Sequence, residues 1–157
     1  MADEITGSNF PICRSFTFGD SNLFDTKITI ILLNDLEVWQ KLNVTAFLTS
    51  GIIGSNPQLI GEAYCDKSER RYLALNRQPI VVLEADLVCL QKIRQRTENR
   101  AVCSSIYIRD MFSTGNDEDN RKTVLKYHSS DLPIVGIGLR EEKKLIDKIT
   151  KGAKLHP

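Results

Sequence analysis

The sequence predicts a single α/β domain: one mixed β-sheet of about four strands with helices on both faces. Short apolar runs rich in β-branched residues alternate with longer segments of helical period. Turn-forming residues separate the two kinds of segment. A length of 157 residues suits one hydrophobic core.

Residues 1–24 stand apart, with Phe10, Phe16 and Phe18 set among Ser, Thr, Asn and Gly without a period. Solvated tails are poor in aromatics, so this segment is expected to be an arm packed on the domain or on a second copy. The domain proper is expected over residues 25–157. Its first strand is the apolar run Ile28-Thr29-Ile30-Ile31-Leu32-Leu33, closed by Asn34-Asp35. A first helix follows over residues 39–53 and stops at Asn56-Pro57. Residues 72–75 read as a short edge strand. Pro79-Ile80-Val81-Val82-Leu83 reads as a second strong strand, with its proline at the start, where a missing donor is tolerated.

Residues 86–98 form a second amphipathic helix, with Leu87, Leu90 and Ile93 on one face. A third strand is expected over 102–108. A third helix over 117–128 has Asp117, Glu118 and Asp119 in its first turn, as the helix dipole favours. Residues 132–139 make a fourth strand and 141–150 a last helix, with Gly152 just beyond it.

Composition narrows the function. A net charge of +1 gives no global field to draw in nucleic acid or an anionic membrane. No apolar run approaches the roughly 18 residues of a membrane span. The opening Met1-Ala2-Asp3-Glu4 lacks the basic-then-apolar order of a signal peptide, so the cytoplasm is the expected compartment. Cys13, Cys65, Cys89 and Cys103 are widely spaced and only two histidines are present. Buried reduced thiols are therefore expected, with no metal and no cofactor. Asn116-Asp117-Glu118-Asp119-Asn120 lacks calcium-loop spacing and reads as a helix start. The basic groups around Arg94 and Lys148 read as solvated helix faces. His156 is expected to be exposed.

Lys41 and Asn43 fall in the first turns of a helix that springs from a strand end, where open α/β sheets usually meet ligands. Asn43, among Leu42, Val44 and Phe47, needs partners for its amide, from a pocket or from a neighbouring loop. Thr45 lies one turn on. Gly136 and Gly138 fall inside a strand, where glycine signals close approach by a ligand or a neighbour.

Three segments carry a resemblance. Ile31-Leu32-Leu33-Asn34-Asp35-Leu36 followed by Lys41-Leu42-Asn43-Val44-Thr45-Ala46 resembles the opening of type 2 peptidyl-tRNA hydrolases. Ile108-Arg109-Asp110 is similar to that family's Ile-Arg-Asp at a strand end. Ile134-Val135-Gly136-Ile137-Gly138, with the segment Leu145 to Leu155, looks like its closing strand and helix. A closer likeness is to a bacterial family of uncharacterised proteins sharing that hydrolase fold, through Trp39-Gln40-Lys41, Gln78-Pro79-Ile80 and Lys154-Leu155-His156-Pro157. The chain departs from the hydrolases in having Gln40 before Lys41, and in lacking the histidine one turn on.

The resemblance implies a catalytic pair in which Lys41 binds an anion and Asp110 orients or deprotonates a water. Asn43, Thr45, Gly136 and Gly138 would then bind substrate, an ester or acyl bond in a nucleotide-linked molecule. Two other readings stay open. One is a binding module for a small ligand or an RNA end that kept the fold and lost the reaction. The other is a homodimeric interaction protein. The bland alternative for Lys41 and Asp110 is a surface ion pair worth under about 1 kcal/mol.

Overall fold

The computed structural model describes residues 24–157, so the expected arm lies outside the described residues but for Phe24. The chain runs β1 (Thr26–Leu33), α1 (Val38–Gly54), β2 (Tyr64–Cys65), β3 (Arg71–Tyr72), β4 (Ile80–Ala85), α2 (Leu87–Asn99) and β5 (Ser104–Ile108). It continues with α3 (Asp117–Val124), β6 (Ile134–Glu142), α4 (Lys143–Ile149) and β7 (Lys154–Leu155). The main sheet has the order β5-β6-β1-β4-β7. β1 pairs parallel with β4 and antiparallel with β6, so the sheet is mixed as expected.

The fifth strand, β7, is the departure from the expected count of four. It pairs only two residues with β4, Leu155 with Leu83 and Lys154 with Glu84, which is too short a run to leave a sequence period. The expected edge strand at residues 72–75 is corrected as well. Arg71–Tyr72 pairs instead with Tyr64–Cys65 in a separate, exposed two-stranded ribbon. The expected burial of the thiols also fails, since Cys103 is exposed and Cys89 half-buried. Cys65, on the ribbon, is disulfide-bonded and so not a reduced thiol. Cys13 lies outside the described residues.

β1 is central and covered on both faces, which is why its sequence is apolar almost throughout rather than alternating. Leu32 stands opposite Gly136 of β6, and Ile30 opposite Gly138, so these four residues share one face. α1 lies on that face, its buried stripe Val44, Leu48 and Ile52 seated over the two glycines. Ile31 and Ile137 turn the other way. There α2 brings Leu90 beside Leu33 and Val135, and α4 adds the fully buried Ile146 and Ile149.

Local signals fix the helix ends. Gln40 accepts the Glu37 backbone N–H at 3.0 Å and closes the start of α1. Asp86 caps α2 by accepting from the Cys89 N–H at 2.7 Å. Asn116 does the same for α3 through the Asp119 N–H at 2.9 Å. α3 ends at Val124 rather than near 128, because Tyr127 leaves the helical path to reach Asp110. After α4, Gly152 adopts φ +105° and turns the chain back toward β4 as β7.

Candidate functional site

Three faces of α1 organise the region. The i, i+4, i+8 stripe of Val44, Leu48 and Ile52 points into the sheet. Val38, Lys41, Leu42 and Thr45 line a cleft on the flank toward β4 and β7. Trp39, Asn43 and Phe47 line a different cleft toward the segment that follows β5. Alternate residues of one helical segment thus feed two sites.

The first cleft encloses about 480 Å³ and is completed by Leu32, Val82, Leu155, His156 and Pro157. Lys41 reaches Glu84 of β4, with Nζ to Oε2 at 3.7 Å. Glu84 stands opposite Leu32 in the β1–β4 register, which places its carboxylate on the α1 face. Both side chains are largely buried, the lysine at 17% exposure. Thr45 donates its hydroxyl to the Lys41 carbonyl at 2.8 Å, leaving the oxygen's acceptor capacity toward the cleft. His156 is held by its backbone N–H on the Val82 carbonyl at 3.1 Å. Its Nε2 is buried without a partner among the described residues.

Two of these residues escape sequence reasoning. Glu84 is a lone acid inside an otherwise apolar strand, and that break in pattern was its signal. His156 was expected to be exposed; the structure half-buries it, because β7 docks on β4 and carries it onto the lysine's cleft.

The second cleft encloses about 240 Å³ between α1, Tyr107 of β5 and the turn leading into α3. Tyr107 donates its hydroxyl to Asn43 Oδ1 at 3.2 Å. The Asn43 amide therefore both bonds a neighbour and lines a pocket. Burial pushes the Tyr107 phenol above its ordinary pKa, so it stays a donor at neutral pH.

The expected catalytic pair is not gathered into one of these clefts. Asp110 lies just past β5, where its Oδ2 accepts the Tyr127 hydroxyl at 2.6 Å. That hydrogen bond, with some burial, raises the pKa of Tyr127. Lys41 and Asp110 do belong to the same sheet edge, since both follow strands of like direction. However, Lys41 is tied to β4, and three strand spacings separate β4 from β5. At about 4.8 Å per spacing that is about 14 Å.

Gly136 and Gly138, expected to bind substrate, lie packed under α1. A Cβ on Gly136 would stand 2.5 Å from Val44 Cγ1 and 3.0 Å from Leu48 Cδ1. One on Gly138 would overlap Ser105 Oγ and crowd Leu48 and Ile52. Most of what the glycines admit is α1, through Val44, Leu48 and Ile52. Gln78, part of a motif behind the resemblance, is likewise structural. It is 3% exposed and ties β1 to β6, donating to the Thr26 carbonyl at 2.6 Å and accepting from Arg140 Nε at 3.3 Å. Arg96 departs from a solvated face, donating to the carbonyls of Ile149 at 3.1 Å and Lys151 at 2.7 Å.

Among the described residues there is no group of three or more His, Cys, Asp or Glu side chains arranged to hold a metal ion. No described helix is long and apolar enough to cross a membrane.

The fold is similar to that of a protein of unknown function from Agrobacterium, with 50% sequence identity and a TM-score of 0.84. The match covers 86% of this chain and 100% of that one. No curated protein matches the sequence. A family model described as a protein of unknown function, DUF2000, matches residues 26–157, which takes in β1, both clefts and the last strand. The chain belongs to the DUF2000 family.

Proposed function

We propose that this protein binds a small molecule with an apolar body and an anionic or carbonyl head, seated in the cleft between α1, β4 and β7. The carrying observation is the under-met hydrogen bonding of Lys41. Its side chain is only 17% exposed, yet the Glu84 carboxylate stands at 3.7 Å, beyond N–H···O range. A largely desolvated ammonium has three donors and is costly to leave poorly paired. A ligand oxygen beside Nζ would supply the missing acceptor, and the Thr45 oxygen would accept from a ligand hydroxyl. Leu32, Val38, Leu42 and Val82 offer the apolar surface for the body.

Calorimetric titration of the full chain with hexanoate and with hexyl phosphate tests this reading. Saturable binding that Lys41→Met weakens about tenfold or more and Lys41→Arg largely retains is expected. Equal binding by Lys41→Met, or no binding of either probe by the wild type, overturns it.

A second reading, hydrolysis of an ester or related acyl bond, is favoured by His156. An imidazole on the same cleft as an ammonium pairs a candidate general base with a candidate oxyanion donor. In this version His156 takes the role that the resemblance gives to Asp110, whose carboxylate is engaged with Tyr127. Turnover of p-nitrophenyl hexanoate that His156→Gln abolishes while hexanoate binding survives is the expected result. Undiminished turnover in that variant removes the histidine from the chemistry.

A further inference from the structure

We infer that the aromatic cleft on the opposite flank of α1 is a second, independent binding site, and that it takes a flat, neutral ring bearing carbonyl acceptors. Four rings build its wall. Trp39 meets Phe112 at 5.6 Å between centroids and 69°, Phe112 meets Tyr107 at 5.1 Å and 47°, and Tyr107 meets Phe47 at 5.7 Å and 59°. Each pair is edge-on or tilted, so the rings brace one another and hold a fixed angled surface. The outer two remain open to solvent, Trp39 at 59% and Phe47 at 50% exposure. Large aromatic faces left out of a core beside a cavity mark a contact surface.

The polar groups select what that surface meets. Among the described residues, Trp39 Nε1, Asn43 Nδ2 and Asn120 Nδ2 have no protein acceptor. The side-chain acceptors around them are each already engaged by a protein donor. Asn43 Oδ1 receives the Tyr107 hydroxyl, and Asn120 Oδ1 receives the Thr114 hydroxyl. Asn116 Oδ1 caps the Asp119 N–H, and the Asp117 carboxylate pairs with Arg121. The cleft therefore presents uncommitted donors beside aromatic faces, and its complement is a ring edged with acceptors.

Neither sign of ligand charge has an unshared partner in this cleft. The first turn of α3 carries Asp117, Glu118 and Asp119, which repel an anion, and no Lys or Arg lines the cleft. A cation would find one lining carboxylate, Asp117, and would share it with Arg121. The volume of about 240 Å³ is below that of drug-sized pockets and has room for a single ring or a fused pair. Lys41 does not line this cleft, so the site stands or falls apart from the proposed function.

The chain has one tryptophan, so a ¹⁵N-labelled sample gives a single indole N–H signal from the site itself. Titration with nicotinamide, phthalimide and uracil is expected to shift that signal saturably for at least one ring, with half-saturation below about 1 mM. Asn43→Leu or Asn120→Ala, on different elements, should weaken that binding about tenfold or more, and Lys41→Met should leave it unchanged. No saturable shift with any of the three rings overturns the inference. So does equal or stronger binding of tetramethylammonium or benzoate, or unchanged affinity in both asparagine variants.

Discussion

The two flanks of α1 share a helix, a sheet edge and a stretch of barely ten residues, but they solve different recognition problems. Toward β4 the helix offers a shielded ammonium, a hydroxyl and aliphatic walls. Toward β5 it offers aromatic faces and amide donors, with no Lys or Arg in the lining. The division follows from helical geometry. Residues two apart point away from each other, so Trp39 and Lys41, or Asn43 and Thr45, cannot serve one pocket. A motif that is contiguous in sequence is thereby split into two chemically different environments.

The largest expected effect breaks both flanks together. Gly136→Ala drives a Cβ into Val44, whose branched side chain has little rotameric freedom to yield. A loss of about 1–3 kcal/mol in urea unfolding is expected, with weakened binding at both clefts as α1 lifts. Wild-type stability in this variant would show that the helix is not seated by the glycines.

Lys41→Met separates the flanks. Loss of a charge-assisted hydrogen bond of about 1.5–3 kcal/mol corresponds to about a tenfold to hundredfold drop in hexanoate affinity, while the indole signal of Trp39 should barely move. Glu84→Gln sharpens the same contrast with a smaller, opposite effect. Freed of its competing carboxylate, Lys41 should bind hexanoate a few-fold more tightly, a change of about 1 kcal/mol at most. Calorimetry reads both, and a weaker Glu84→Gln complex would mean that the carboxylate positions the lysine rather than competing for it.

The smallest effect is a pH dependence that reaches the aromatic flank through Tyr107. Burial raises the Tyr107 pKa, so the folded state favours the protonated phenol. That contribution to stability is present in full below the unfolded-state value of about 10 and is lost as pH rises through the folded-state value. Stability should decline in that alkaline window, and Tyr107→Phe should flatten the decline. An identical slope in the variant would assign the effect to other groups.

Much of this arrangement is legible in the residues themselves. β1, β4, β5 and β6 announce themselves as β-branched apolar runs, and α1 and α2 by their period and caps. The spacing of Lys41 and Thr45 places them on one side of a helix whatever the fold. Lateral order is what the chain conceals. Nothing in the local pattern says that β6 enters between β5 and β1, yet that insertion carries Asp110 away from Lys41. The glycines at 136 and 138 signal a close approach without saying of what, because a ligand and a helix make the same demand on a missing side chain. His156 and β7 are hidden for a different reason. A two-residue strand has no period, and its place is set by tertiary contacts.

That short strand has a consequence for how the lysine cleft behaves in time. One wall of the chamber is the least anchored piece of the sheet, clipped on by a few main-chain bonds, among them the His156 amide on Val82. Segments held this lightly peel back long before the whole molecule unfolds. Anything lodged against Lys41 must also press on this flap and hold it shut, so occupancy should be written in the deuterium uptake of residues 154–156. The doorway and the lock would then be the same few residues.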